Sequence, residues 1–142
     1  MNQKRVELGL EPLIMDQQAT NIARYKSNDM AQRQYFSHAN TSGKHVRDLE
    51  DTIGVSYNAV NENIAMSDSP EGTYMYNNVL YKNMSLNTPE YKTFTANRIF
   101  NSLWDSGLHK ANMMDADSKY VGIGVIYNKY TKTYYATQDF FS

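Results

Sequence analysis

The C-terminal end constrains this chain most. Tyr120 to Tyr127 alternates in hydropathy, and after a short polar turn, Asn128 to Thr133, Tyr134 to Phe140 returns as its partner strand. Val121, Ile123 and Val125 share one face of the first segment, the period-two signature of a strand with a buried side. A lone hairpin is at best marginally stable in water, so these strands need covering elements. The preceding sequence offers helices. Asp16 is placed to cap one running to about Gln34, with Ala19, Ile22, Ala23 and Met30 forming a single apolar stripe. Thr88-Pro89 opens another, in which Ala96, Ile99, Phe100 and Leu103 recur at helical spacing, and it should stop near Ser106-Gly107. Asn2 to Leu8 reads as a short helix ending at Gly9, and Val46 to Ile53 as another ending at Gly54. Ser69-Pro70 predicts a further helix over Pro70 to Asn83, while Val60 to Ala65 reads as an extended segment. Helices first and a closing hairpin make the class α+β or a helix-sheet-helix sandwich.

The length of 142 residues suits one domain, and neither an internal repeat nor a low-complexity linker divides it. Fourteen basic and fifteen acidic residues leave a net charge of -1, and the basic ones are scattered. That excludes the clustered basic footprint of a nucleic-acid binder. No apolar run approaches the roughly 20 residues of a membrane-spanning helix. With no cysteine, disulfides, thiolate nucleophiles and Cys-built zinc sites are all excluded. The first ten residues are polar and helix-like and carry no export-signal pattern, so the chain is either cytosolic or a domain of a longer secreted protein.

Three histidines are candidates for chemistry: His38, His45 and His109. His38 and His109 are expected in short polar loops after helix ends, and Glu62 lies between two asparagines in an otherwise apolar segment. Two imidazoles and a carboxylate suit a divalent ion such as zinc. They equally suit an acid and base pair, or simple hydrogen bonding to loop backbone. Long stretches separate the three, so spacing alone does not bring them together. Ser37 and Ser106 lack the Gly-x-Ser-x-Gly setting of a nucleophile. Gly122-Ile123-Gly124 precedes no phosphate-cradling helix and reads as a place of close packing on a sheet. Asp115 and Asp117 fall short of a calcium loop. The twelve tyrosines can stack on sugars or bases, although most fit ordinary strand positions.

In order, the motifs resemble the CAP superfamily, which covers the cysteine-rich secretory proteins, antigen 5 and the pathogenesis-related 1 proteins. The likeness is to its bacterial SCP-like branch. It runs from Asn2-Gln3-x-Arg5 with Gly9-Leu10-x-Pro12-Leu13 through Tyr35-Phe36-Ser37-His38 to Asn61-Glu62-Asn63-Ile64-Ala65. It continues through Ser106-Gly107-Leu108-His109 and Asn112-Met113-Met114 into Tyr120-Val121-Gly122-Ile123-Gly124 and Tyr134-Tyr135-Ala136-Thr137-Gln138-Asp139-Phe140. Essentially the whole chain is covered.

The resemblance implies a single domain, 1–142, with a three-layer α-β-α sandwich, a central antiparallel sheet and a central cleft. In the family that cleft is lined by two His and two Glu, and some members bind zinc or another divalent ion there. His38 matches the first family His, Glu62 the first Glu and His109 the second His. The second Glu falls at Ser106, and the tryptophan of the fourth helix at Leu103, with Trp104 one place later. The stretch from Ser67 to Lys92 is longer than the family pattern. Bacterial members are typically exported or surface-attached, which implies a secreted or cell-surface domain with its export signal upstream.

Two functional classes follow. One is an extracellular binding module whose cleft holds a metal, a small molecule, a lipid or a peptide. The other is a metal-dependent hydrolase using His38, Glu62 and His109. A hydrolase needs an activated water and a separate positioned base, and one Glu does not easily serve as both ligand and base. Binding is therefore the favoured expectation, with any ion held weakly. A third reading leaves the cleft residues as a hydrogen-bond network that only holds loops together.

Overall fold

A computed structural model describes residues 1–49, 57–86 and 88–142. Helix α1 (Asn2–Glu7) opens the chain, followed by strand β1 (Ile14–Met15) and the long helix α2 (Gln17–Arg33). The Asn2 side chain exchanges two 2.9 Å hydrogen bonds with the backbone of Leu13, folding α1 back on the segment that follows. Asp16 caps α2 by accepting from the Ala19 N–H at 2.8 Å, and Gln34 ends it in the left-handed region, both as anticipated. Ala19, Ile22, Ala23 and Met30 are buried along its inner face. Val46–Leu49 forms a 3₁₀ turn; the rest of the helix expected to Ile53 and Gly54 lies outside the described residues.

Strand β2 (Val60–Asp68) pairs antiparallel with β6 (Thr133–Phe141), and β6 with β5 (Tyr120–Asn128). Strand β1 joins β5 in parallel, so the sheet order is β1-β5-β6-β2 among the described residues and β2 stands at an edge. The closing hairpin is thus where alternation placed it. Its two faces are covered differently. Even-numbered β5 residues meet α2: a Cβ on Gly122 or Gly124 would lie within the backbone of Ala19, Thr20 and Arg24. These glycines serve the close packing their pairing suggested. On the other face Val121 and Ile123 meet helix α3 (Pro89–Trp104) and helix α4 (Gly107–Met113), where Ile99, Leu103 and Met113 pack with Val121, Ala136 and Phe140. Val125, expected on the same buried face, stays exposed. The molecule is the expected α+β three-layer sandwich.

The helix expected over Pro70 to Asn83 is instead a hairpin of β3 (Gly72–Tyr76) and β4 (Val79–Met84). Asn77 and Asn78 take φ of 49° and 62°, the two positive angles of a type I′ turn, and the flanking Thr, Tyr and Val residues favour strands. Tyr74, Tyr76 and Tyr81 surround Phe94 on α3 at 5.9, 5.5 and 4.4 Å between ring centroids. Buried Arg98 completes the dock with a 2.7 Å bond to Asp68 and a further one to the Tyr74 hydroxyl. A local Ser-Pro helix start yields here to turn chemistry and to ring packing that no local window contains. Among the described residues, no helix is long and apolar enough to cross a membrane.

Candidate functional site

The edge strand β2 organises the site because alternation sends neighbouring side chains to opposite layers. Glu62 points toward the α2 layer, where it is cross-strand partner to Asp139. Asn63 points the other way, donating to the His109 carbonyl at 2.9 Å and accepting from the Asn112 amide at 2.8 Å. The Asn-Glu-Asn segment therefore binds one layer with Glu62 and locks α4 with Asn63. Arg5 holds α4 from its far end. Its buried guanidinium donates to the carbonyls of Met113 at 2.8 Å and Asp115 at 3.0 Å.

His38 follows the end of α2 in a polar loop, and its Nδ1 lies 2.8 Å from Oε1 of Glu62. The carboxylate side chain is 6% exposed and the imidazole 47%, so a buried anchor holds a solvent-facing ring. When Nδ1–H donates to this carboxylate oxygen, Nε2 is the ring nitrogen left without a partner among the described residues. Lys26, buried within the apolar stripe of α2, fixes the loop by donating from Nζ to the His38 carbonyl at 2.8 Å. Burial lowers the Lys26 ammonium below its ordinary pKa, while the charges of Glu62, Asp29 and Asp139 pull it back up.

Asp139 is fully buried, and neither of its oxygens meets a donor from another fixed N–H or O–H. Burial first, and the neighbouring Glu62 carboxylate second, push its carboxyl well above the usual range, with Lys26 opposing. The Oε2 of Glu62 and both oxygens of Asp139 are thus buried polar atoms side by side on paired strands, without hydrogen-bond partners among the described residues. Glu62 is bonded to His38 through Oε1 alone.

His109 lies inside α4 rather than in the loop expected for it, because Gly107–Met113 completes a short helix. Its Nδ1 is buried without a partner, and burial followed by the nearby charge of His38 lowers its pKa. The cleft beside β2, about 410 Å³, is lined by His38, His45, Arg47, Asn61, Glu62 and Asn112, with His109 outside its lining. The structure thus joins His38 with Glu62 and places His109 on α4, outside this cleft's lining but near enough for the charge of His38 to act on it. Ser106, at the position of the second family Glu, precedes α4 without a side-chain capping bond. Among the described residues no three His, Asp or Glu side chains converge closely enough to hold an ion. As arranged, His38 and Glu62 form a hydrogen-bonded pair to which no third such side chain is joined among the described residues.

Lys26 and Asp139 are the site residues that motif reading passed over. Each left a signal: Lys26 interrupts an apolar helical stripe, and Asp139 is an acid on the inward face of a central strand.

A family model for CAP, the cysteine-rich secretory protein family, matches residues 1–140. The chain belongs to this family. It is 26% identical over 125 residues to the uncharacterized protein YkwD of Bacillus subtilis (strain 168), a match covering 88% of this chain and 39% of that one. The fold matches an extracellular SCP-domain protein from Bacillus anthracis str. Ames, with TM-score 0.70 and 23% identity over 99% of this chain and 37% of that one. It also matches an outer surface protein from Borrelia burgdorferi, with TM-score 0.72 and 15% identity over 99% of this chain and 85% of that one. The CAP domain thus spans well under half the length of both Bacillus proteins.

Proposed function

We propose that this CAP domain is an extracellular or cell-surface binding module whose cleft beside β2 recognises a small polar ligand without turning it over. The carrying observation is the 2.8 Å bond between His38 and Glu62. It fixes one imidazole tautomer and presents Nε2 as an acceptor, with the amides of Asn61 and Asn112 on the same cleft wall. A Glu62 bonded to His38 through one oxygen and buried at the other is poorly placed to act as the general base of a hydrolase. The extracellular and outer-surface descriptions of the two structural relatives support export of this chain as well.

The test is an NMR titration of the domain with small carboxylates, phosphates and amines, read at His38, Asn61 and Asn112. Shifts that vanish in His38→Ala support the reading, and none across the panel overturns it. Cleavage of denatured casein that requires both His38 and Glu62 would overturn it in favour of a hydrolase. Zinc chloride is the second probe. An ion would have to break the His38–Glu62 bond, so binding should be weak at about pH 7.5 and weaker at about pH 5.5, where imidazole protonation competes. Tight, stoichiometric binding at both values would reveal a ligand set involving His109 that the resting geometry does not form.

A further inference from the structure

A second concavity shares no lining residue with the His38–Glu62 cleft. It lies between the C-terminal end of α2 and the β5–β6 turn and has a volume of about 410 Å³, within the roughly 300–1,000 Å³ of small-molecule sites. Asn128 builds it. Its side-chain N–H donates to the Ala31 carbonyl at 3.1 Å, docking the turn on α2, and its oxygen accepts from the backbone N–H of Tyr130 at 3.0 Å and of Thr131 at 3.2 Å. The turn so anchored holds Tyr130 out at 86% exposure.

Opposite stand Asn28 and Gln32, one helical turn apart on α2, and Gln34 at its C-terminal cap. Among the described residues none of these three amide groups is held in a side-chain hydrogen bond. We propose that this groove binds a short neutral oligosaccharide.

A primary amide offers a donor and an acceptor side by side, the pattern that vicinal hydroxyls of a sugar match. An exposed tyrosine ring adds a flat apolar face for the C–H side of a pyranose and a hydroxyl at its rim. Lys129 is the one charged lining residue among those described, and its ammonium already lies 5.2 Å from the Tyr130 ring centroid. A polyanion would ask for a cationic cluster, and an acyl chain for a wholly apolar wall; this groove has neither.

The experiment titrates the folded domain with chito-, cello- and malto-oligosaccharides, followed by NMR shifts at Gln32, Gln34 and Tyr130. At least one series should shift all three. Tyr130→Ala should weaken that binding about two- to tenfold, the range an aromatic contact is worth. Tyr130→Phe should keep most of it, Gln32→Ala should weaken it, and His38→Ala should leave it unchanged. Tyr130 is exposed, so its replacement leaves the core intact, and circular dichroism checks this. No shift from any of the three series would overturn the proposal. So would unchanged affinity in Tyr130→Ala, or a response at these residues to charged peptides alone.

Discussion

On one face of the central sheet, α2 lies so close that glycine is required at two positions of β5, Gly122 and Gly124. On the other face, α3 stands far enough off to leave an apolar cavity of about 400 Å³ between Ile99, Phe100 and Leu103 and the sheet residues Ile123 and Ala136. The same sheet thus carries a tight face and a loose one. The difference follows the site. Lys26, Glu62, Asp139 and the loop bearing His38 all belong to the tight side, where a small shift of α2 would separate an imidazole from its carboxylate. On the loose side the polar bonds of Asn63 to His109 and Asn112 reach the short helix α4 rather than α3.

Breaking the tight face should have the largest effect. A methyl at Gly122 has no flexible neighbour to displace, only helix backbone. Gly122→Ala should therefore cost about 3 kcal/mol or more, beyond the usual overpacking range, although Gly→Ala at a compatible site stabilises. Urea denaturation checks this. A loss under about 1 kcal/mol would mean that α2 slides freely and that the contrast between faces is empty.

The charged groups of the two layers should respond to pH in opposite senses. Asp139 has a raised pKa in the folded state, so between the ordinary carboxylate range and that raised value the folded state binds more protons than the unfolded one. Its contribution is present at low pH and is lost as pH rises through the raised pKa. Asp139→Asn removes this titrating carboxyl, so the loss with rising pH should flatten and the melting temperature near pH 8 should rise. His109, in the opposite layer, has a lowered pKa, so the unfolded state binds more protons below about pH 6.5 and stability falls as pH drops through that region. His109→Gln should remove that acid-side loss. Thermal melts of the two variants across pH separate the layers; identical profiles would show that neither group is coupled to folding as described.

What could be read in advance divides along the same line between local and non-local information. The strand pair 120–127 and 134–140 and the course of α2 were legible because alternation, an Asp16 cap and an apolar stripe are contained in short windows. The hairpin at 72–84 was not, since a Ser-Pro start signal is local while its three tyrosines find Phe94 only after α3 is in place. Glu62 stood out as an isolated acid, and the family resemblance joined it to His38. Its cross-strand neighbour, Asp139, is set by strand register, a pairing between distant segments. The seven-residue helix that carries His109 is too short to display a periodic stripe.

The smallest expected effect comes from filling the loose face. Ala96 is exposed on α3 and lines the cavity, one turn before Phe100. A leucine there keeps nearly all of the helix propensity of alanine and places its branched end over apolar walls. Burial of a part of that side chain gains at about 25 cal/mol per Å², while rotamer restriction offsets some of the gain. The net change should lie within about 1 kcal/mol and be neutral or stabilising, because no atom has to move aside to admit it. Urea midpoints of Ala96→Leu and Gly122→Ala, measured side by side, bear directly on the two faces. If the leucine destabilised the domain as much as the new methyl on β5 does, α3 would be packed as tightly as α2, and the site's position on one layer would no longer be explained by packing.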